Sequence, residues 1–511
     1  MSQKNAPHVG LVFASLMTTM LMSSLGQMIF STALPTIVGE LGGVEHMSWV
    51  ISAFLATMTI AMPISGKIGD TVGRKWVYII SIGLFVVGSA IGGFADTMGL
   101  LILGRAIQGL GAGSMMINSQ AIIAEVTTAR ERGKFMGLMG SVFGVSSVLG
   151  PVLGGWFTDG PGWRWALWMN IPLGLLAILV ATLVLNLRTG KARWRDYDYL
   201  GTALLSVATA TLVLVTTWGG TQYAWTSPLI LILGAVSVLA GLAFVWVEMH
   251  SKDPLIRMGL FRHRNMLLTT LSGVVIGLAM VGVLAYLPTY LQMVHGLTPT
   301  TAGLMMIPMM LGLLGTSTAV GFIVARTGNY KVYPIIGLVL TTVSLVLLST
   351  MTVETPLSVL GIYFFLFGFG LGMVMQILVL IVQNTFPLRV VGQATAANNF
   401  FRQIGSALGA SLVGSLFIHN IQKEMQHNLP LAAERVGEEG QALVESFATG
   451  DGSSHLTPDA VAELPGPLLE AIVNSYNDGL TPIFLMLAPL TFAAALILLP
   501  IKRERLRETI D

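Results

Sequence analysis

Two arginines, Arg105 and Arg402, stand inside runs that are otherwise apolar enough to lie in a bilayer. An arginine there costs about 2.5–3.5 kcal/mol even on a lenient insertion scale. Each must therefore turn inward and find acceptors. Asn398 lies one helical turn before Arg402 and so shares its face. No carboxylate is placed to answer either cation, because none of the 25 Asp and Glu falls in mid-span. A second charged group is the turn G-K-I-G-D-T-V-G-R-K, Gly66 to Lys75. Gly66, Gly69 and Gly73 allow a tight reversal and a close helix approach. Asp70, Arg74 and Lys75 hold that turn at the membrane surface. No metal cluster, nucleophile constellation or phosphate loop accompanies these groups. The glycines of Leu110–Gly113 follow no strand and precede no Lys-Ser/Thr pair, so they are helix-packing glycines. The chemistry is binding and movement, and an enzyme is not expected.

The elements that position these residues are membrane helices. The chain has 511 residues, 54% hydrophobic and 10% charged, with mean hydropathy +0.77. A soluble domain carries about 25% charged residues. A net charge of +2 gives no reason to expect a nucleic-acid partner, and with no cysteine there is neither disulfide nor thiolate metal site. No cofactor or metal is expected. Fourteen runs reach the roughly 20 apolar residues a span needs, the first at residues 9–32 and the last at 480–501. The first is read as a retained helix, since no small-residue cleavage site follows the short polar start. With the N-terminus inside, every Lys and Arg lies on the inner side except Arg105 and Arg402 in the spans and Arg164, Lys423 and Arg435 outside. The positive-inside rule then puts both termini in the cytoplasm.

Six spans precede the arginine-rich stretch that begins at Arg188, and six follow Met266. The layout is residues 1–187 as one six-helix bundle, 188–265 as a linker with two inserted spans, and 266–511 as a second bundle. Gly321 to Lys331 weakly echoes the Gly66–Lys75 turn, as parallel repeats do. The stretch 420–478 reads as an acidic outer connector with short amphipathic helices.

Several motifs occur in order. L-G-R-A-I-Q-G-L-G-A-G surrounds Arg105. G-S-V-F-G-V-S-S-V-L-G-P-V-L-G-G runs from Gly140 to Gly155, with Gly140/Gly144 and Gly150/Gly154 as small-xxx-small pairs and Pro151 as a bend. Trp163-Arg164-Trp165 precedes Asn170 and Pro172. A-T-A-A-N-N-F-F-R-Q-I-G-S-A-L-G begins at Ala394. Together with the Gly66–Lys75 turn, these resemble the fourteen-helix drug:proton antiporter branch of the major facilitator superfamily, over nearly the whole length. The resemblance implies an all-α membrane fold and alternating-access export of small amphipathic compounds, with protons as coupling partner. It implies a monomer in the plasma membrane and a link to antibiotic resistance. It also implies a conformational latch of Gly66, Gly69, Asp70, Gly73, Arg74, Lys75 and Glu125, and an antiporter motif of Gly140, Gly144, Gly150, Pro151, Gly154 and Gly155.

One departure matters. The branch carries an aspartate in its first span where this chain has Gly26. Coupling then falls to a peripheral acid, Glu125, Asp159, Glu45 or Asp96, or to His46 or His295. Substrate contacts are expected from Gln27, Ser31, Arg105, Gln108, Tyr286, Tyr290, Gln376, Asn398 and Arg402, with Asn118, Gln120, Gln383 and Asn384 as further lining amides. The 28 methionines suit an adaptable apolar surface. A core with cations and no carboxylate favours anionic, zwitterionic or neutral substrates. An exporter of one anionic or lipid-like metabolite, independent of protons, is the alternative.

Overall fold

The computed structural model describes residues 9–42, 46–187, 197–220, 222–436, 461, 464–502, 504 and 506. Glu45, the arginines of the linker and the middle of the 420–478 stretch lie outside that set. Seven helices build the first bundle: α1 (Val9–Leu41), α2 (Met47–Val72), α3 (Arg74–Gly93), α4 (Met98–Val126), α5 (Ala129–Asp159), and α6 (Trp165–Trp168) with α7 (Asn170–Val184) as one broken span. The inserted pair is α8 (Tyr199–Trp218) and α9 (Pro228–His250). Then come α10 (Arg264–Leu284), α11 (Leu287–His295), α12 (Pro299–Leu304), α13 (Ile307–Thr327), α14 (Val332–Ser349), α15 (Leu357–Thr385), α16 (Val391–Val436) and α17 (Gly466–Leu498). Among the described residues, thirteen helical stretches are long and apolar enough to cross a membrane. Helix α5, outside that thirteen, has 31 residues, long enough for a crossing.

Lipid is as apolar as leucine, so these helices associate through close backbone contact at small residues. A side chain at Gly88 or Gly104 would collide with the facing backbone of α4 or α3, and one at Gly109 or Gly113 with α2. The outward surfaces stay apolar, with Leu175, Leu179, Leu183, Leu239 and Leu242 exposed. The inserted pair packs outside this core, with α8 against α2 and α16 and α9 against α8. Ser52 of α2 donates to Thr217 of α8 at 3.0 Å. Trp225, in the α8–α9 turn, donates through Nε1 to Ser415 of α16 at 2.9 Å.

The 420–478 stretch differs from the expected connector. Helix α16 runs unbroken for 46 residues to Val436, about 70 Å at 1.5 Å per residue, far beyond the ~30 Å hydrocarbon layer. Helix α17 begins at Gly466, well before its apolar segment. The two extensions pack through Met425, Leu429, Leu468 and Ile472, and Asn428 donates to Ser475 at 3.1 Å. Their leucines and alanines fill a small core of their own, so the spans simply continue out of the bilayer.

The W-R-W motif also has a mechanical role. Trp163 Nε1 donates to Glu40 Oε2 at 2.7 Å, Arg164 pairs with Glu40 Oε1, and Arg164 Nη2 donates to the Ala95 carbonyl at 3.0 Å. The ends of α1, α3 and α6 are thereby tied. The hydrogen bond from Arg164, helped by Trp163, holds the Glu40 carboxyl below its ordinary value of 4.5. A lowered carboxyl stabilises the fold above its unfolded pKa and loses that effect as pH falls through the folded one. A Glu40→Gln variant in detergent is expected to melt below the wild type at pH 7. The difference should shrink as pH falls below the ordinary value of 4.5 and vanish once it has passed the lowered folded value; a gap in melting temperature that does not shrink with acid would show that the tie is not carried by the carboxylate.

Candidate functional site at the seam between the bundles

The Gly66–Lys75 turn lies on one face of the molecule, here the latch face, and joins the two bundles there. Gly73, at φ +109°, makes the reversal between α2 and α3. A Cβ on Gly66 would come within 2.6 Å of the Ala396 side chain and 2.8 Å of the Gly392 carbonyl, so only glycine lets α2 approach α16 this closely. Asp70 then reaches the first turn of α16. Its Oδ1 accepts the Gly392 N–H at 3.1 Å and its Oδ2 the Gln393 N–H at 2.8 Å. An anion at a helix N-terminus meets unpaired N–H groups and the positive end of the dipole.

Arg74 fixes that carboxylate from its own bundle. Its Nη2 lies 2.8 Å from Asp70 Oδ1 and donates to the Leu388 carbonyl at 2.9 Å. Its Nη1 donates to the Ala121 carbonyl at 2.7 Å and to Glu125 at 3.2 Å. Asp70, Arg74 and Glu125 are thus gathered at one point. Lys75 is not among them; its Nζ donates to the Thr182 carbonyl at 2.8 Å, inside the first bundle. Lys67 instead pairs with Asp253, beyond α9.

The start of α5 brings a second set of charges that were legible only as surface cations. Arg130 donates from Nε to the Ala325 carbonyl at 2.9 Å and from Nη2 to the Arg326 carbonyl at 2.7 Å, which caps the end of α13. Arg132 donates to the Gln383 carbonyl of α15 at 3.3 Å. Carbonyls at helix C-termini favour cations by the same dipole.

Behind these charges lies a layer of amides. Gln383 Nε2 donates to the Gln120 carbonyl at 3.1 Å, and Asn399 Nδ2 to Gln120 Oε1 at 2.9 Å. Arg402 Nη2 donates to Asn399 Oδ1 at 2.6 Å. The buried cation of α16 is therefore linked to α4 of the other bundle. Asn398 points instead to Thr270, at 3.5 Å.

Arg105 is 1% exposed. Its Nη1 donates to the Gly26 carbonyl at 2.9 Å and to Gln108 Oε1 at 2.6 Å, and its guanidinium lies 4.1 Å from the ring centres of both Phe30 and Phe54. Gln108 in turn donates to Ser89 at 2.8 Å. Two aromatic faces and a carbonyl stand where a carboxylate would pair. Among the described residues no acid forms an ion pair with Arg105 or Arg402.

The glycines of the Gly140–Gly155 motif divide by depth. Gly140 lies against Ser317 of α13 and Gln376 of α15, and Gly144 against Leu313 and Leu314, all across the seam. Gly150 lies against Met28 of its own bundle, and a Cβ on Gly155 would meet nothing within 4 Å. Gly154 is buried. The side chains of Ser31, Pro151 and Asp159 fall outside the description. Tyr286 donates to the Ala410 carbonyl at 3.1 Å and Tyr290 to Asn477 at 3.0 Å, so both tyrosines serve the second bundle. Gln27 is half-buried, and Asp96 is exposed.

Two bundles of membrane helices, joined at one face by side-chain bonds to helix ends, make the architecture of a membrane transporter. The Major Facilitator Superfamily model matches residues 16–197 and 199–410, and the chain belongs to that superfamily. It is 36% identical over 503 residues to an uncharacterised MFS-type transporter of Mycobacterium tuberculosis, covering 98% of this chain and 70% of that one. It is 32% identical over 487 residues to the multidrug transporter protein MdtP of Bacillus subtilis, covering 93% and 89%. Among solved structures, the proton:xylose symporter XylE superposes with a TM-score of 0.61 at 14% identity over 98% of each chain. The human organic anion transporter MFSD10 gives 0.60 at 16%, over 96% of this chain and 100% of its own. At those identities the structures speak to the fold.

Removing the Asp70 charge tests the seam. Hydrogen bonds to a charged group contribute about 1.5–3 kcal/mol, enough to shift a two-state seam tenfold or more. Val379, fully buried where α15 meets the first bundle, is a suitable reporter in a chain without native cysteine. In a Val379→Cys background, Asp70→Asn is expected to speed maleimide labelling about tenfold. An unchanged rate would mean that the carboxylate does not hold the seam.

Proposed function

We propose that this protein is a multidrug-type secondary exporter that works by alternating access in the plasma membrane, with the latch face in the cytoplasm and the seam closed there. The single observation that carries the reading is the set of charge-to-helix-end bonds across the seam, from Asp70 to α16 and from Arg130 to α13. Each can open and re-form without separating two buried ions. The relative named as a multidrug transporter supports export of small amphipathic compounds, and the latch-face excess of Lys and Arg supports the orientation. The packing of Gly140 and Gly144 across the seam, against Gly155 with open space beside it, supports a state closed at the latch face and open beyond.

Proton antiport completes the proposal, with Glu125 as the coupling acid. Its carboxylate faces Arg74 at 3.2 Å, at the centre of the latch. A proton there removes one acceptor from Arg74, loosens the grip on Leu388 and biases the seam towards opening. The positive charge of Arg105 is consumed by Gly26, Gln108, Phe30 and Phe54, so we assign that residue to holding α1, α2 and α4 together.

The test is purified protein in liposomes with an internal pH dye, an imposed proton gradient and a panel of amphiphiles. Proton movement that appears only with substrate, and is lost in Glu125→Gln, is the expected result. Substrate flux with no proton movement would replace antiport with a proton-independent carrier. A Gly26→Asp variant adds a check on Arg105. A side chain at position 26 would stand 3.1 Å from the Phe85 ring and 3.6 Å from Gln108 Nε2. With Phe85 displaced, the new carboxylate reaches the guanidinium, and uptake of lipophilic cations is expected to rise in a well-expressed variant. No rise counts against the missing acid as the reason for their exclusion.

A further inference from the structure

Four glutamines on the latch-face half of the seam each keep a buried polar atom without a partner. They are Gln120 Nε2 on α4, Gln376 Oε1 and Gln383 Oε1 on α15, and Gln393 Oε1 on α16. Their exposures are 0, 6, 2 and 3%. An unmade hydrogen bond in a buried site is unfavourable, so four such atoms along one interface call for a reason. Gln376 is the plainest case. It lies inside α15, with its stem against Gly140 of α5, where the absence of a side chain leaves it room. It is where α5 and α15 meet across the bundles. When the latch opens, this half of the seam parts. Gln120 then also loses Gln383 and Asn399, and the exposed wall behind the charged rim is made of uncharged amides. Arg402 keeps Asn399, which lies on its own helix.

We infer that the compounds this exporter loads from the latch face are uncharged amphiphiles, recognised through hydroxyl or amide groups by these glutamines, with Gln376 as the specificity-determining contact. This rests on the export reading above and narrows its substrate class. A lipophilic cation finds no carboxylate on that wall and is repelled by Arg402. An anion finds Arg105 sealed by phenylalanines and a single guanidinium, Arg402, which Asn399 holds against its own helix. A neutral molecule with a donor supplies what Gln376 Oε1 lacks.

The experiment uses the full chain in liposomes with three labelled probes: chloramphenicol (neutral, with hydroxyl and amide donors), tetraphenylphosphonium (cation) and deoxycholate (anion). Binding is followed separately by thermal stabilisation in detergent. The wild type is expected to bind and move chloramphenicol well ahead of both ions. Gln376→Leu should lower chloramphenicol transport about fivefold, the usual effect of one lost hydrogen bond. Gln376→Glu should shift the cation-to-neutral ratio towards tetraphenylphosphonium by tenfold or more. A role in packing alone would change all three probes in parallel, and that result overturns the inference. So does a wild type that moves only one of the ions, while leaving export intact. A folded wild type that neither binds nor moves any probe takes the export reading down, and this inference with it.

Discussion

The contact on which the arrangement depends is the one between the Asp70 carboxylate and the first turn of α16. Two bundles in lipid gain little from apolar attraction, because the surrounding acyl chains match their side chains. Something polar must define the closed seam. A buried pair of opposite charges would do so too strongly, since parting it strands two ions in a low-dielectric medium. A charge on a helix end is milder. The N–H groups of Gly392 and Gln393 belong to a helix terminus, where water can replace the carboxylate once the seam opens. The same logic governs Arg130 on the carbonyls that close α13. The glycines follow from it: Asp70 reaches α16 only because Gly66 lets the backbones meet.

The two membrane arginines show how a cation is kept without an acid. Arg105 is satisfied by the carbonyls of Gly26 and Val50, one amide and two ring faces, all from the first bundle, so it strengthens that bundle. Arg402 is satisfied by an amide that also touches the opposite bundle, so its surroundings change when the seam moves. Two residues that looked alike as isolated charges therefore have different parts, and the difference lies in whether their acceptors cross the interface.

How much of this was legible follows from what each feature leaves in the chain. Hydrophobic runs announce membrane helices, thirteen of which have the length and apolarity of a span among the described residues, and the superfamily was readable from the motifs. Asp70 and Arg74 were readable together because the glycine pattern marks them, and Glu125 joined them only through the family resemblance. Their partners were not, since backbone N–H and C=O groups at helix ends carry no residue signature. Arg130 and Arg132 looked like ordinary positive-inside charges for that reason. Gly26 showed that an acid was missing but not that its own carbonyl would take over. The long extensions of α16 and α17 were hidden by composition: a helix leaving the bilayer turns polar, and polarity between two spans reads as a loop.

The acid-free interior bears on coupling as well as on selectivity. A carboxylate deep in the cavity lets substrate and proton compete for one group, which makes exchange a local event. In the antiport proposed above, with no such group among the described residues of the core, coupling passes through the latch, where Glu125, Arg74 and Asp70 share one hydrogen-bonded cluster. A proton arriving there acts on the seam and not on the cargo. Substrate and proton then compete for the conformation and not for a site, so the exchange requires no charge on the compound moved. An interior of amides and methionines, with its charges tied off by carbonyls and aromatic rings, is consistent with that mode of coupling.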